Sequence, residues 1–197
     1  MEKRDEILRV LALSLRNIVG QAVPDYSNLQ EIRIRAESPL MIIYKNQEFF
    51  VGIKNELTKN QQEAYIVRKN ELRETVEYIC NYSVYAYEEE LRQGFITIQG
   101  GHRVGLCGKT ICEKDNIRSL KHIAFINIRL SHQIIGCADK VLPYIRLENG
   151  IAHTLIISPP GCGKTTLLRD IIRSISNGTK KHPGMTVGVV DERSELG

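Results

Sequence analysis

The sequence of 197 residues lacks the features that mark several common classes of protein. Its five cysteines form no C-x-x-C pair and have no cysteine or histidine nearby at zinc-site spacing, which excludes a recognisable zinc motif. The N-terminal apolar stretch is interrupted by Arg9 and Arg16, so neither a secretory signal nor a membrane-spanning helix fits. No internal repeat or low-complexity segment is present. We therefore expect reduced thiols and a soluble, intracellular protein.

The chain also has little excess charge. Its 27 basic and 23 acidic residues give a net charge of +4, too small to indicate a nucleic-acid or membrane partner. The positive charge is concentrated between Arg92 and His132, where seven basic residues outnumber two acidic ones. Phe125 is the only aromatic residue between Gly101 and His132, so the mixture of basic and aromatic residues typical of single-strand binding is missing. We expect no nucleic-acid partner.

The N-terminal part of the chain has the patterns of a small α+β domain. Apolar residues at helical spacing predict one helix from about Arg4 to Val19 and another around Leu72 to Cys80, with Asn70 as its N-cap. A short helix is predicted over Cys137 to Leu147, where Pro143 either kinks or starts it. Alternating apolar and polar residues predict the strands. These are Glu31–Arg35, Leu40–Tyr44, Phe49–Val51, Phe95–Gln99, Arg103–Cys107 and Ala124–Leu130.

The pattern changes at Glu148 to Gly150, which we interpret as a boundary between domains comprising residues 1–150 and 151–197. Beyond it, the apolar runs Thr154 to Ile157 and Met185 to Val190 predict two strands buried on both faces. Apolar residues at helical spacing between them predict a helix that ends near Asn177. Strand, loop, helix and strand form one βαβ crossover, which predicts the first unit of a parallel α/β domain.

The loop between the first of these strands and the helix reads SPPGCGKTT and resembles a phosphate-binding P-loop. The consensus is G-x-x-x-x-G-K-[ST], and Ser158 stands where the first glycine is expected. All residues of the loop are candidates for nucleotide binding. They are Ser158, Pro159, Pro160, Gly161, Cys162, Gly163, Lys164, Thr165 and Thr166. The alternative interpretation is a glycine-rich turn without a ligand.

Each residue type in the loop has a specific chemical function in binding a triphosphate. A triphosphate requires several donors that converge without side chains in the way, which Gly161 and Gly163 allow. Lys164 is expected to reach the β- and γ-phosphates, Thr165 to ligate Mg²⁺ through its hydroxyl, and Thr166 to donate to the α-phosphate. The loop therefore predicts ATP and Mg²⁺ as ligands and a P-loop, RecA-like type of α/β domain.

An acidic pair, Asp191 and Glu192, ends the second predicted strand and resembles a Walker B element. In that interpretation Asp191 holds Mg²⁺ through water and Glu192 polarises the attacking water. Only about 20 residues separate the loop from this strand, which is short for a Walker B, so the pair alternatively caps the end of another strand.

Only 33 residues follow Lys164, whereas a nucleotide-binding domain needs on the order of 150. We expect a truncated ATPase core that is inactive alone.

Three stretches, GFITIQGGHRVGLCGKT (residues 94–110), LIISPPGCGKTTLLRDIIR (155–173) and VGVVDERSELG (187–197), together resemble the stage III sporulation protein AA family of endospore-forming bacteria. The resemblance runs over nearly the whole chain. It implies a cytoplasmic mother-cell ATPase similar to the secretion ATPases of type II and type IV pilus systems. Such ATPases are typically hexameric, and this one would work with membrane proteins that form a channel to the forespore.

The resemblance also bears on individual residues. It implies that the true Walker B lies beyond residue 197, so that Asp191 and Glu192 match an earlier acidic box. It further suggests that an N-terminal domain presents an arginine to the γ-phosphate of a neighbouring subunit, for which the candidates are Arg103, Arg118 and Arg129. The alternative is that these arginines are solvated surface charges.

These observations favour an ATP-binding motor or assembly ATPase of a sporulation-associated, secretion-like channel, with hydrolysis in the full-length protein. A nucleic-acid-associated P-loop ATPase is one alternative, and salt-dependent oligonucleotide binding would distinguish it. A module that uses ATP only for assembly, without hydrolysis, is a second. A small-molecule kinase is a third, which is disfavoured because the N-terminal half has the pattern of an independent domain and not of a lid or acceptor site.

Overall fold

The structure is a computed structural model that describes residues 3–113, 116–132, 134–148, 150–159, 161–179, 182–191 and 196, with only the backbone of residues 3, 112–113 and 116–119. The chain divides into two compact units, residues 1–131 and residues 132–196. Each unit is described by itself below.

The helices of the first unit begin with two short segments where the sequence predicted one. The helices are α1 (Lys3–Leu8), α2 (Leu13–Ala22), α3 (Lys69–Ile79) and α4 (Glu88–Gln93), with 3₁₀ turns at Gln61–Glu63 and Val84–Tyr87. The predicted continuous helix from Arg4 to Val19 is therefore wrong. The Arg16 side chain donates hydrogen bonds to the carbonyls of Leu8 and Arg9, both at 2.9 Å, and so satisfies carbonyl groups at the end of α1.

The central feature of the first unit is a seven-stranded antiparallel sheet. Its strands are β1 (Leu29–Arg35), β3 (Met41–Tyr44), β4 (Gln47–Val51), β5 (Leu57–Thr58), β7 (Phe95–Ile98), β8 (His102–Glu113) and β9 (Asn116–Arg129). They lie in the order β5-β4-β3-β1-β9-β8-β7. Strands β2 (Ser38–Pro39) and β6 (Ile66–Val67) form a separate pair. The six strands predicted for the first unit are confirmed, although β8 and β9 extend well beyond their predicted ends.

Alternation along the strands separates the two faces of this sheet. Ile32 and Ile34 of β1 lie opposite Ile128 and Ile126 of β9, and all four are fully buried. The helices pack on this inner face through residues such as Leu15, Leu72, Val76, Ile79 and Leu91. The outer face presents the intervening polar and aromatic side chains. The unit is thus a two-layer α/β arrangement with a single core.

The start of α3 is stabilised by Glu71 and not by Asn70. Arg68 is the N-cap residue, and its N–H donates to the Glu71 carboxylate at 2.8 Å. The predicted N-cap at Asn70 is therefore wrong by two positions. Glu71 also accepts hydrogen bonds from the hydroxyls of Tyr65 and Ser14, which explains how its carboxylate is tolerated at 3% exposure. Burial and the hydrogen bond with Glu71 raise the pKa of Tyr65 to about 12.

Thr75 connects α3 to the start of α2, and its hydroxyl should matter more than its size. The fully buried hydroxyl accepts from the Ala12 N–H at 3.0 Å and donates to the Glu71 carbonyl at 2.8 Å. We expect Thr75→Val to cost about 1–3 kcal/mol, because it leaves the Ala12 N–H buried without an acceptor. Thr75→Ser, which keeps the hydroxyl, should cost less. Urea denaturation of both variants measures this, and equal losses would contradict it.

The second unit is built around a single long helix. Its elements are α5 (Leu142–Ile145), the paired strands β10 (Arg146–Leu147) and β11 (Gly150–Ile151), and α6 (Lys164–Asn177). Pro143 occupies the first turn of α5, so it starts the helix. Ala138, Leu142 and Ile145 pack against Ile171 and Ile175 of α6. Because of this packing the second compact unit includes residues 132–150, which the sequence analysis placed in the N-terminal domain.

The βαβ crossover predicted for the second unit is only partly formed. The helix is present and ends at Asn177, as predicted. Residues 154–157 and 185–190 form no strand within the described part of the chain, so these strand predictions are wrong there. Leu155 and Ile157 are 81% and 80% exposed, because none of the described strands pairs with them. The fold is mixed α/β with a mostly antiparallel sheet, and the parallel sheet stays a prediction.

Candidate functional site

The loop before α6 contains two glycines whose backbone leaves room for a ligand. Gly161 and Gly163 have φ angles of 77° and 81°, in the left-handed region that favours glycine. A Cβ added at either position would meet no atom within 4 Å, so the backbone at both glycines is open to a ligand. Gly163 is also the N-cap residue of α6. The two glycines therefore leave the entry to the helix unobstructed.

The first turn of α6 supplies the donors. Its first intrahelical bond runs from the Leu167 N–H to the Gly163 carbonyl at 2.9 Å. The N–H groups of Lys164, Thr165 and Thr166 thus have no carbonyl partner within the helix, and the helix dipole adds partial positive charge at the same end. Both threonines are half-buried. This donor set matches the chemistry of a phosphate group.

The Lys164 side chain reaches from the first residue of α6 back across the loop to its beginning. Its Nζ atom donates to the Ser158 carbonyl at 2.8 Å and to the Pro159 carbonyl at 3.0 Å. A further contact reaches the Ser158 hydroxyl at 3.4 Å. The ammonium group therefore lies against the loop, close to the residue that replaces the first consensus glycine. Cys162 is exposed in the same loop, and Pro160 lies outside the described residues.

Of the acidic pair Asp191 and Glu192, the structure describes only Asp191. Asp191 accepts a hydrogen bond from the Leu196 N–H at 2.6 Å. The Leu196 carbonyl in turn accepts from Nε of Arg169 on α6 at 2.8 Å. Asp191 is thereby connected to the same helix that carries Lys164. Glu192 lies outside the described residues, so its predicted role has no geometry here.

Two of the three candidate arginines are described, and both belong to the first unit. Arg103 of β8 and Arg129 of β9 lie directly opposite one another in the sheet. The Arg103 guanidinium lies 3.8 Å from the centre of the Phe95 ring, and Nε of Arg129 lies 3.5 Å from a Glu31 carboxylate oxygen. The side chain of Arg118 lies outside the described residues. The structure thus brings Arg103 and Arg129 together on the outer face of the sheet.

Asp170, the carboxylate that anchors α6, is absent from the candidate residues predicted from the sequence. Asp170 is fully buried, accepts from the Ala138 N–H at 2.9 Å and forms a 2.6 Å ion pair with Arg173. Burial acts to raise its pKa, but the hydrogen bonds from Ala138 and Arg173 outweigh burial and hold the pKa below its ordinary value. An aspartate on the apolar face of a predicted helix was the available signal.

Other kinds of site are not evident in the described part of the chain. No group of three or more histidine, cysteine, aspartate or glutamate residues there could hold a metal ion by itself. Among the same residues, no helix is long and apolar enough to cross a membrane. The loop before α6 is therefore the strongest candidate for a functional site.

Comparisons with known proteins agree with the sequence stretches identified above. A solved structure with partial likeness is the X-ray structure of the Legionella pneumophila ATPase DotB, with a TM-score of 0.43 and 17% identity over 78% of this chain and 40% of that chain. The chain is 38% identical over 194 residues to the stage III sporulation protein AA of Bacillus subtilis (strain 168).

That alignment covers 98% of this chain and 59% of the Bacillus protein, so the chain spans about three-fifths of the relative's length. The family model described as sporulation stage III, protein AA matches residues 1–197. The resemblance drawn from the sequence stretches is confirmed: the chain belongs to the sporulation stage III, protein AA family.

Proposed function

We propose that residues 158–166 bind the phosphates of ATP and that the full-length protein is an ATPase. The observation that carries the proposal is the geometry of the loop. Two open glycines with positive φ angles lead into the N-terminus of a 14-residue helix, and the ammonium group of Lys164 lies against the same loop. Donors, helix dipole and cation then act on one anionic group.

The residues receive distinct roles under this proposal. The backbone N–H groups from Gly161 to Thr166 orient the phosphates, and Lys164 neutralises charge on the β- and γ-phosphates. The Thr165 hydroxyl and Asp191 would hold Mg²⁺ together with the nucleotide, and the ion, when bound, would neutralise charge on the phosphates. Glu192 is proposed to polarise the attacking water.

The biological setting is proposed from membership in a sporulation family. We place the protein in the cytoplasm of the mother cell, as a hexameric motor or assembly ATPase that works with membrane channel proteins. The proposed domains are an N-terminal domain of residues 1–150 and an ATPase domain that begins at residue 151, with residues 132–150 as the segment that packs against α6 of the ATPase domain. Arg103, Arg118 or Arg129 would contact the γ-phosphate of a neighbouring subunit, and unchanged turnover in alanine variants of all three would contradict that role.

Turnover of the full-length protein with Lys164→Ala tests the nucleotide site. We expect ATP hydrolysis to fall by about 100-fold, because a charge-assisted donor to the phosphates is lost. Lys140→Ala is the matched control, since Lys140 is an exposed lysine of the same unit. Phosphate release and binding of a fluorescent ATP analogue are measured for both variants.

The outcomes separate the alternatives. Equal turnover in the wild type and the Lys164→Ala variant would overturn the proposed site. Wild-type protein that binds the analogue but releases no phosphate, with or without its partners, would contradict hydrolysis and favour an assembly module that only binds ATP.

A further inference from the structure

A cleft in the first unit lies between the turn that follows α1, the C-terminal end of α3 with the segment after it, and the end of β7. Its volume is about 400 Å³, within the range of about 300–1,000 Å³ that is common for small-ligand sites. Several of its lining residues have large polar or aromatic side chains. They are Arg9, Tyr78, Asn81, Tyr82, Tyr87 and Gln99. We call this site the tyrosine cleft.

The cleft contains a guanidinium group with donors to spare. Arg9 is exposed, and its Nη2 atom donates to the Oε1 atom of Gln99. The Nε and Nη1 groups of Arg9 then remain available to a ligand, and so does the amide NH₂ group of Gln99. Among the described residues that line the cleft, Arg9 is the only charged one. The cleft is therefore suited to an anion, and a guanidinium fork matches a carboxylate in particular.

A second hydrogen-bonded pair in the cleft adds another donor. The Nδ2 atom of Asn81 donates to the Tyr87 hydroxyl at 3.2 Å. Because this hydroxyl acts as the acceptor, its own hydrogen is free to be donated, and no acceptor for it occurs in the described part of the chain. A carboxylate oxygen satisfies such a donor better than a neutral acceptor does.

The carboxylate bonded to one of the lining tyrosines is already engaged. Glu74 accepts from the Tyr78 hydroxyl at 2.8 Å and from the Leu13 N–H at 3.3 Å. The hydrogen bond with Glu74, followed by one with Tyr82, raises the pKa of Tyr78 to about 12. Tyr78 therefore stays neutral at physiological pH and adds no negative charge to the cleft.

Two of the tyrosines form an aromatic wall. The rings of Tyr78 and Tyr82 are 5.5 Å apart between centroids and meet edge to face at 75°, a favourable arrangement of aromatic pairs. Tyr82 has a φ angle of 60°, which is uncommon for a tyrosine, and its N–H donates to the Glu77 carbonyl at 2.8 Å. Its side chain is 74% exposed. Most of the Tyr82 ring is thus open to a further ring.

From these observations we propose that the tyrosine cleft binds a small ligand in which a carboxylate is joined to an aromatic ring. The carboxylate pairs with the Arg9 guanidinium and accepts from Gln99 and Tyr87. The ring packs against Tyr82. This inference goes beyond the proposed function, because the cleft belongs to the first unit and the proposed nucleotide site belongs to the second.

Three fluorinated probes test this chemistry with the full-length protein. The acid para-fluorophenylacetate has both the ring and the charge, its amide para-fluorophenylacetamide has the ring alone, and trifluorobutyrate has the charge alone. Line broadening in fluorine NMR gives a dissociation constant for each probe. We expect a value on the order of 1 mM for the acid, and binding at least about tenfold weaker for the other two.

The variant Arg9→Gln tests the carboxylate contact. It should bind the acid at least about tenfold more weakly than the wild type and bind the amide equally well, because only the charged partner is lost. Unchanged binding of the amide also verifies that the cleft is folded. Arg73→Gln is the matched control, since Arg73 is an exposed arginine of α3 that does not line the cleft. It should bind both probes as the wild type does.

The variant Tyr82→Asn tests the ring contact. Asparagine is tolerated at a φ angle of 60°, so the turn is kept while the ring is removed. Binding of the acid should weaken about tenfold, whereas binding of trifluorobutyrate should not change. Tyr85→Asn is the matched control, because Tyr85 is 91% exposed and does not line the cleft.

Equal affinity of the wild type for the acid and the amide would overturn the proposal, as would full binding of the acid by the Arg9→Gln variant. Loss of acid binding in a Lys164→Ala variant would also overturn it, because the probe would then occupy the loop before α6. Failure of the proposed nucleotide site is seen separately, in turnover and in binding of the fluorescent ATP analogue, and leaves the expected binding of the acid unchanged.

Discussion

Replacing Asp170 with asparagine should lower the unfolding free energy of the second unit by about 3 kcal/mol. The carboxylate is fully buried, and it accepts from the Ala138 N–H and from Nε of Arg173 at 2.8 Å. Removing its charge leaves the Arg173 guanidinium without its counterion in a partly buried setting. Hydrogen exchange of the backbone amides in α6 measures the loss. The matched control is Asp139→Asn, an exposed neighbour that should change stability by less than about 0.5 kcal/mol.

The ion pair between Asp170 and Arg173 also predicts that the stability of the second unit depends on pH. The pKa of Asp170 is lowered by folding, from an ordinary value of 3.8, so the ionised form stabilises the folded state. The advantage of the wild type over the Asp170→Asn variant should be complete well above that ordinary value. It should disappear as the pH falls below 3.8 and through the lowered pKa of the folded state. An advantage that persists unchanged through this range would contradict the assigned role of the charge.

Truncating Ile126 to alanine should destabilise the first unit by about 2–5 kcal/mol. Ile126 is fully buried on β9, opposite Ile34 of β1 and Leu106 of β8, in the middle of the sheet. The loss combines the transfer of apolar surface back to water with the cavity that the surrounding strands cannot close. Urea denaturation followed by far-UV circular dichroism measures it.

Two further variants make this second prediction specific. Ile126→Val removes one methylene group and should cost only about 0.5–1.5 kcal/mol. Ile53→Ala is the control, because Ile53 is 66% exposed and its truncation leaves no internal cavity. Equal losses for the alanine variants at positions 126 and 53 would show that burial in the sheet does not set the effect.

The strands of the first unit could be predicted because their signal is local. Residues 31–35 and 124–130 alternate between apolar and polar side chains, and that alternation is what one buried face of an antiparallel sheet requires. The break between α1 and α2 could not be predicted, because the local pattern continues through it. The break depends on Arg16 and on Thr75, a residue distant in sequence.

The residues of the candidate site also differ in whether their roles could be predicted from the sequence. The glycines and Lys164 were identified from their spacing together with the strand and helix predicted on either side, of which the structure forms the helix. The role of Asp170 depends on Ala138, whose contact with it spans 32 residues of sequence. The predicted strands at 154–157 and 185–190 failed because an apolar run becomes a strand only where another strand pairs with it.

The sequence by itself therefore determined the family, the glycine-rich loop that leads into α6 and the strands of the first unit, because each depends on neighbouring residues along the chain. Only the tertiary structure decided which carboxylate anchors α6 and which arginines share a face with Phe95 and Phe125. It also decided that residues 132–150 pack with α6. The contact between Asp170 and Ala138 and the pairing of β1 with β9 join residues far apart in sequence, and pairing of that kind leaves no periodic trace in one chain.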